Sequence, residues 1–71
     1  MDVMVKVKFN ASRQRIESYE NNKYLVYLEG IEESSTNSVL ISMLSKYLGV
    51  PIPRVLFKKT DFSGDKVFEL S

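Results

Sequence analysis

The stretch Thr36-Asn37-Ser38-Val39-Leu40-Ile41-Ser42-Met43-Leu44-Ser45-Lys46-Tyr47-Leu48, followed by Gly49-Val50-Pro51, decides the fold. Val39, Leu40, Met43, Leu44, Tyr47 and Leu48 recur at i, i+1, i+4, i+5, i+8 and i+9, while Ser38, Ser42, Ser45 and Lys46 lie mostly outside that stripe. This is the 3.6-residue period of a helix with one apolar face. Gly49 can adopt the left-handed conformation that ends a helix, and Pro51 cannot continue one. Upstream, Ser34 or Ser35 is placed to act as N-cap, and Glu32 and Glu33 suit the positive end of the helix dipole.

Outward from this helix, both flanks turn to a period of two. Tyr24-Leu25-Val26-Tyr27-Leu28 is apolar on both faces and is expected inside a sheet. Before it, Val3, Val5, Val7 and Phe9 alternate with Met4, Lys6 and Lys8, the pattern of a half-buried strand. Asn10-Ala11-Ser12 and Glu20-Asn21-Asn22-Lys23 are turn-forming. Between them Arg13–Tyr19 has no clean period and is read as one helical turn followed by a short extended piece carrying Ile16. After the helix, Arg54–Lys59 and Lys66–Leu70 read as strands joined by the hairpin residues Thr60-Asp61-Phe62-Ser63-Gly64-Asp65.

The order is β-β-α-β-β. It implies a two-layer α+β domain over residues 1–71, with one main helix on a four-stranded mixed sheet. With the helix crossing from the second strand to the third, the fourth can fill the gap between them, antiparallel to both, giving the spatial order 1-2-4-3 of a split β-α-β arrangement with a right-handed crossover. The first and third strands would then be edges, with Lys6, Lys8, Lys58 and Lys59 discouraging sheet-to-sheet aggregation.

With 71 residues, 44% hydrophobic, the chain is one small domain and not a disordered one. Ten Lys and Arg against nine Asp and Glu leave a charge of +1, which excludes a polybasic tail. The absence of Cys removes disulfides and thiolate chemistry, and the absence of His removes the usual general base and the commonest metal ligand. No apolar run approaches the roughly 20 residues of a membrane span, and Met1–Lys6 lacks signal-peptide character. A cytoplasmic protein without cofactor, metal or membrane attachment is expected by elimination.

Val5-Lys6-Val7-Lys8-Phe9-Asn10-Ala11-Ser12-Arg13 resembles the opening of the YggU-like family of small proteins. Thr36–Ile41 falls where that family has its Gly-Lys-Ala-Asn helix start. Leu48-Gly49-Val50-Pro51 with Arg54-Val55 matches its helix end and third strand, and Ser63, Asp65 and Lys66 match its last loop. The resemblance runs without gaps from about Val5 to Leu70. It departs at Ser34 and Ser35 (Gly-Lys in the family), at Thr60 (a glycine) and at Gly64 (an arginine), and the sequence stops at Ser71, short of a C-terminal helix common in the family. The resemblance implies a two-layer α+β fold and no reaction. It singles out Asn10, Asn37, Ser63, Asp65 and Lys66 as family-matched polar positions of unassigned role.

Few residues invite chemistry. Ser63-Gly64-Asp65-Lys66 brings together a serine, a carboxylate and a lysine, but a serine without His needs a desolvated lysine as base. A lysine at an exposed hairpin tip stays charged, and a polar turn closed by Asp65 explains these residues better. Glu32 with Glu33, and Asp61 with Asp65, lack the converging oxygens that a cation requires. Ser34-Ser35-Thr36-Asn37 could hold an anion at a helix start, but the two glutamates already occupy that electrostatic position and no glycine allows close approach.

The sheet face away from the helix is the remaining candidate. Alternation assigns to it Met4, Lys6, Lys8, Leu25, Tyr27, Leu56, Lys58, Val67 and Glu69. An apolar patch of Met4, Leu25, Leu56 and Val67 is of a kind that monomers rarely leave uncovered. The expectation is a non-catalytic interaction module whose open sheet face contacts a protein partner or a second copy as a homodimer. The alternative is a single-stranded RNA-binding module acting through Lys6, Lys8, Tyr27 and Lys58, since bare sheets bearing aromatics and lysines stack bases and contact phosphates.

Overall fold

The computed structural model describes residues 1–71. It contains β1 (Asp2–Lys8), β2 (Arg15–Glu20), β3 (Lys23–Tyr27), α1 (Thr36–Leu48), a short 3₁₀ turn (Ile52–Arg54), β4 (Val55–Thr60) and β5 (Lys66–Leu70). The fold is α+β, with one α-helix on a mixed sheet.

The sheet has five strands in the order β2-β3-β1-β5-β4, not four in the order 1-2-4-3. Arg15–Glu20 is a full strand, antiparallel to β3 across the Asn21–Asn22 turn, where Asn22 takes φ 61°. Asparagine tolerates that left-handed conformation better than most residues. Because β2 occupies the outer side of β3, the inner side of β3 pairs with β1, in parallel. The other side of β1 pairs antiparallel with β5, and β5 with β4. The first strand is therefore central, and Lys6 and Lys8 belong to its solvent face and do not guard an edge. Lys58 and Lys59 do lie on an edge strand, at a bulge in which the register shifts between Phe57 and Lys59. A bulge and lysines together make β4 a poor template for a further strand.

The core forms between α1 and one face of the sheet. Val3 and Val5 of β1, Tyr24 and Val26 of β3, Val55 of β4 and Phe68 of β5 meet Leu40 and Leu44 of the helix, with Leu28 at the end of β3. Full burial of Leu40 and of Leu44 is worth about 1.5–3 kcal/mol each. Tyr47 packs edge-on against Tyr24 (centroids 5.9 Å apart), and Phe57 packs likewise on Phe68 at 5.5 Å.

The helix start is built differently from the expected serine cap. Ser35 occupies the N-cap position without a side-chain cap bond. Its hydroxyl donates to Glu33 Oε1 at 2.9 Å, while the Glu33 amide donates to Thr36 Oγ1 at 2.9 Å and the Thr36 amide to the Glu33 carbonyl at 3.0 Å. The buried Thr36 thus ties the entering loop down. At the other end Gly49 has φ 70° and its amide donates to the Ser45 carbonyl, the expected left-handed stop.

A 13-residue helix is about 20 Å long and about 10 Å wide, whereas five strands at about 4.8 Å spacing make a sheet about 24 Å across. One helix covers only part of one face, and the opposite face has no covering layer.

Candidate functional site

The register determines which side chains share the uncovered face. Met4 pairs with Val67 and Lys23, Lys6 with Leu25, and Lys8 with Tyr27. Glu17 and Arg15 of β2 extend the same rows beside Leu25 and Tyr27. On the other flank Leu56 pairs with Glu69, which pairs with Asp2. Lys58 sits in the bulge and reaches the same face, its Nζ 2.9 Å from Asp2 Oδ2. The structure therefore brings Met4, Lys6, Lys8, Leu25, Tyr27, Leu56, Lys58 and Val67 together on one side of the sheet. Leu56 is 51% exposed and Met4 37%, while Leu25 and Tyr27 are half-buried. Val67 offers no surface: set between Met4 and Lys59, it is only 3% exposed.

The charges of this face are largely compensated. Lys6 Nζ lies 3.6 Å from Asp65 Oδ1, Lys23 pairs with Glu20, Arg15 with Glu17, and Lys58 with Asp2. The hydrogen bond to Asp2, then its charge, holds the Lys58 ammonium above the ordinary lysine value. The guanidinium carbon of Arg15 stands 4.2 Å from the centroid of the Tyr27 ring, so one face of that ring is already covered. Arg15 was outside the expected face because its segment shows only Ile16 as an apolar marker. The alternation of Arg15 and Glu17 with Ile16 and Ser18 is the signal that would have placed it.

The family-matched polar residues gather at one end of the sheet without forming one cluster. Asn10 has φ 60° and its amide donates to the Gly30 carbonyl at 2.7 Å, turning the chain out of β1. Ser63 Oγ donates to Asp61 Oδ1 at 2.7 Å, and the amides of Ser63 and Asp65 donate to the same oxygen. Asp61, not Asp65, organises this turn, and the Ser63 hydroxyl bond comes first among the causes that hold its carboxyl below the ordinary aspartate value. Lys66 is not at an exposed tip. It is buried and its Nζ donates to Glu32 Oε2 at 3.0 Å, with the Phe57 ring centroid 5.5 Å away. Neither Ser63 nor Lys66 is available to the other. Asn37 Oδ1 is buried and has no hydrogen-bond donor.

No protein-family model matches the chain, and no solved structure matches it. No group of three or more His, Cys, Asp or Glu side chains converges as a metal site, and no helix is long and apolar enough to cross a membrane. The arrangement at hand is an uncovered sheet face with apolar residues at its middle and paired charges around them.

Proposed function

We propose that this chain is a non-catalytic interaction module whose uncovered sheet face contacts protein, with a second copy of itself as the partner. One observation carries this reading: Leu56 and Met4 stand exposed beside half-buried Leu25 and Tyr27, on a face where Lys6, Lys23, Arg15 and Lys58 are each paired with a carboxylate. Apolar surface with paired charges suits a like surface better than a polyanion. Related by a two-fold axis, the same patch would meet itself. The sheet presents about 24 by 20 Å, or on the order of 500 Å², which is below the ~800 Å² per partner of a stable complex. The association is therefore weak and concentration-dependent.

Sedimentation equilibrium over a wide concentration range tests it. The wild-type chain should exceed its 8.2 kDa monomer mass as concentration rises, and Leu56→Asp should abolish that rise. A wild-type monomer at every concentration ends the proposal.

The resemblance to the YggU-like family is part of this reading, since it implies a two-layer α+β domain and brings no reaction with it. RNA binding through Lys6, Lys8, Tyr27 and Lys58 has less support. Lys6 and Lys58 each already hold a carboxylate, and Arg15 covers one face of Tyr27.

A further inference from the structure

One end of the uncovered face differs from the rest. The chain leaves β1 through Asn10 in the left-handed conformation, and the Ala11 amide donates to the Leu28 carbonyl at 3.0 Å. The loop so pinned, Ala11, Ser12 and Arg13, joins Arg15 and Tyr27 around an open cleft of about 310 Å³. Lys8 stands beside Tyr27 in register. Neither Lys8 nor Arg13 forms an ion pair, and Glu17 is the carboxylate that pairs with Arg15. Lys8, Arg13 and Arg15 outnumber Glu17 and the neighbouring Glu29, which leaves a local excess of positive charge.

Arg15 is the distinctive group at this end. Its guanidinium is held from below by the Tyr27 ring at 4.2 Å and from the side by Glu17 Oε2 at 3.5 Å. The side chain is nevertheless 52% exposed and lines the cleft. A fixed, flat, half-exposed cation is a platform on which a nucleobase stacks. Arg13 lines the cleft with Arg15, and Lys8 stands on the far side of Tyr27 from it; both are donors suited to a phosphate. The cleft volume lies at the low end of small-molecule sites, about 300–1,000 Å³, which allows one nucleotide and little more.

We propose that this cleft binds a nucleobase together with its neighbouring phosphate, the base stacked on Arg15 over Tyr27 and the phosphate held by Lys8 and Arg13. The source is a free nucleoside monophosphate or one nucleotide of a single strand. The inference goes beyond self-association, which centres on Met4, Leu25 and Leu56; Tyr27 borders both surfaces, and the concentration dependence of mass and the nucleotide titration read them separately.

The test is an NMR titration that follows the Tyr27 ring and the Arg15 side chain. The probes are adenosine and uridine monophosphates, a short 5′-phosphorylated oligouridylate, and inorganic phosphate. Nucleotide should bind at least about fivefold more tightly than phosphate, because stacking adds to the ionic contact. Arg15→Lys keeps the charge and removes the plane; it should weaken nucleotide about fivefold or more while changing phosphate by less than about twofold. Arg13→Gln should weaken both, and serves as the deciding variant should Arg15→Lys disturb the Val26 core resonances. Oligouridylate binding more than about tenfold tighter than monophosphate assigns the site to a strand, and equal affinity assigns it to free nucleotide. No movement of either residue at about 10 mM nucleotide or oligomer, phosphate binding as tightly as nucleotide, or unchanged nucleotide binding in either variant overturns the proposal.

Discussion

Lys66 Nζ lies 3.0 Å from Glu32 Oε2, joining the last strand to the loop that enters the helix across 34 residues of chain. The two partners are unequal: the lysine side chain is 8% exposed and the glutamate 57%. A buried ammonium depends on its counter-charge, whereas an exposed carboxylate loses little when its partner goes. Glu32→Gln should therefore destabilise the fold by about 1–2 kcal/mol, short of the ~3–5 kcal/mol of a fully enclosed pair because water reaches Glu32. Lys66→Met removes the charge and keeps the packing, and should destabilise less than Glu32→Gln. Urea midpoints of the two variants decide it; the reverse ranking would mean that the lysine itself contributes net stability.

The turn between β4 and β5 gives a prediction in pH. Three donors converge on Asp61 Oδ1, foremost the Ser63 hydroxyl at 2.7 Å, and the carboxyl is held below its ordinary value of 3.8. A carboxyl whose folded pKa is lowered adds stability above its unfolded pKa and loses it as pH falls through the folded one. Ser63→Ala should move the Asp61 titration back up toward 3.8, as followed by carboxyl carbon shifts. The stability difference between Ser63→Ala and wild type should be present at about pH 6 and shrink once Asp61 is protonated in both states. A difference that persists unchanged below about pH 2 would assign it to something other than this carboxylate.

Strand order is open to amide exchange. Amides of β1, bonded to β3 on one side and β5 on the other, should be the slowest to exchange. Outward-pointing amides of β2 and β4 should exchange fastest among the strands, since each edge strand has one neighbour. Rapid exchange along Val3–Val7 would place the first strand at an edge and contradict the observed order.

What the sequence made legible follows from which signals are local. The helix over Thr36–Leu48 and its stop at Gly49 were readable because the apolar period and the left-handed glycine are both written in neighbouring residues. So was the side on which Met4, Lys6, Leu25 and Tyr27 stand, since alternation fixes parity within a strand and pairing aligns the strands. Arg15–Glu20 is legible only as a short extended piece after a helical turn that the structure lacks, not as a sheet strand: an edge strand with one face in solvent needs only one or two apolar residues, and Ile16 alone does not set a period. Missing that strand misplaced β1, because the partner of β3 depends on what already occupies its other side. The burial of Lys66 is illegible in the sequence for a related reason. Its burial comes from pairing opposite Val5 and from a glutamate far away in sequence, and neither is visible in the loop that precedes it.

Asn37 gives the sharpest test of the helix start. Its Oδ1 is buried without a donor, although the side chain sits in the first turn of α1. An unpartnered buried acceptor costs about 1–3 kcal/mol, and alanine also has the higher helix propensity, by about half a kcal/mol. Asn37→Ala should thus stabilise the domain by about 1 kcal/mol or more, raising the melting temperature by about 4–8 °C for a chain of this size. Asn37→Asp sets two effects against each other. A negative charge in the first turn gains about 0.3–1 kcal/mol from the helix dipole, but a carboxylate oxygen at the same donorless position loses more hydration than that. Desolvation should win, and the order of melting temperatures should be Ala above Asn above Asp. Asn37→Asp melting above wild type would show that the position opens to water or to a donor. Asn37→Ala melting below it would show that the amide holds a partner across the helix start.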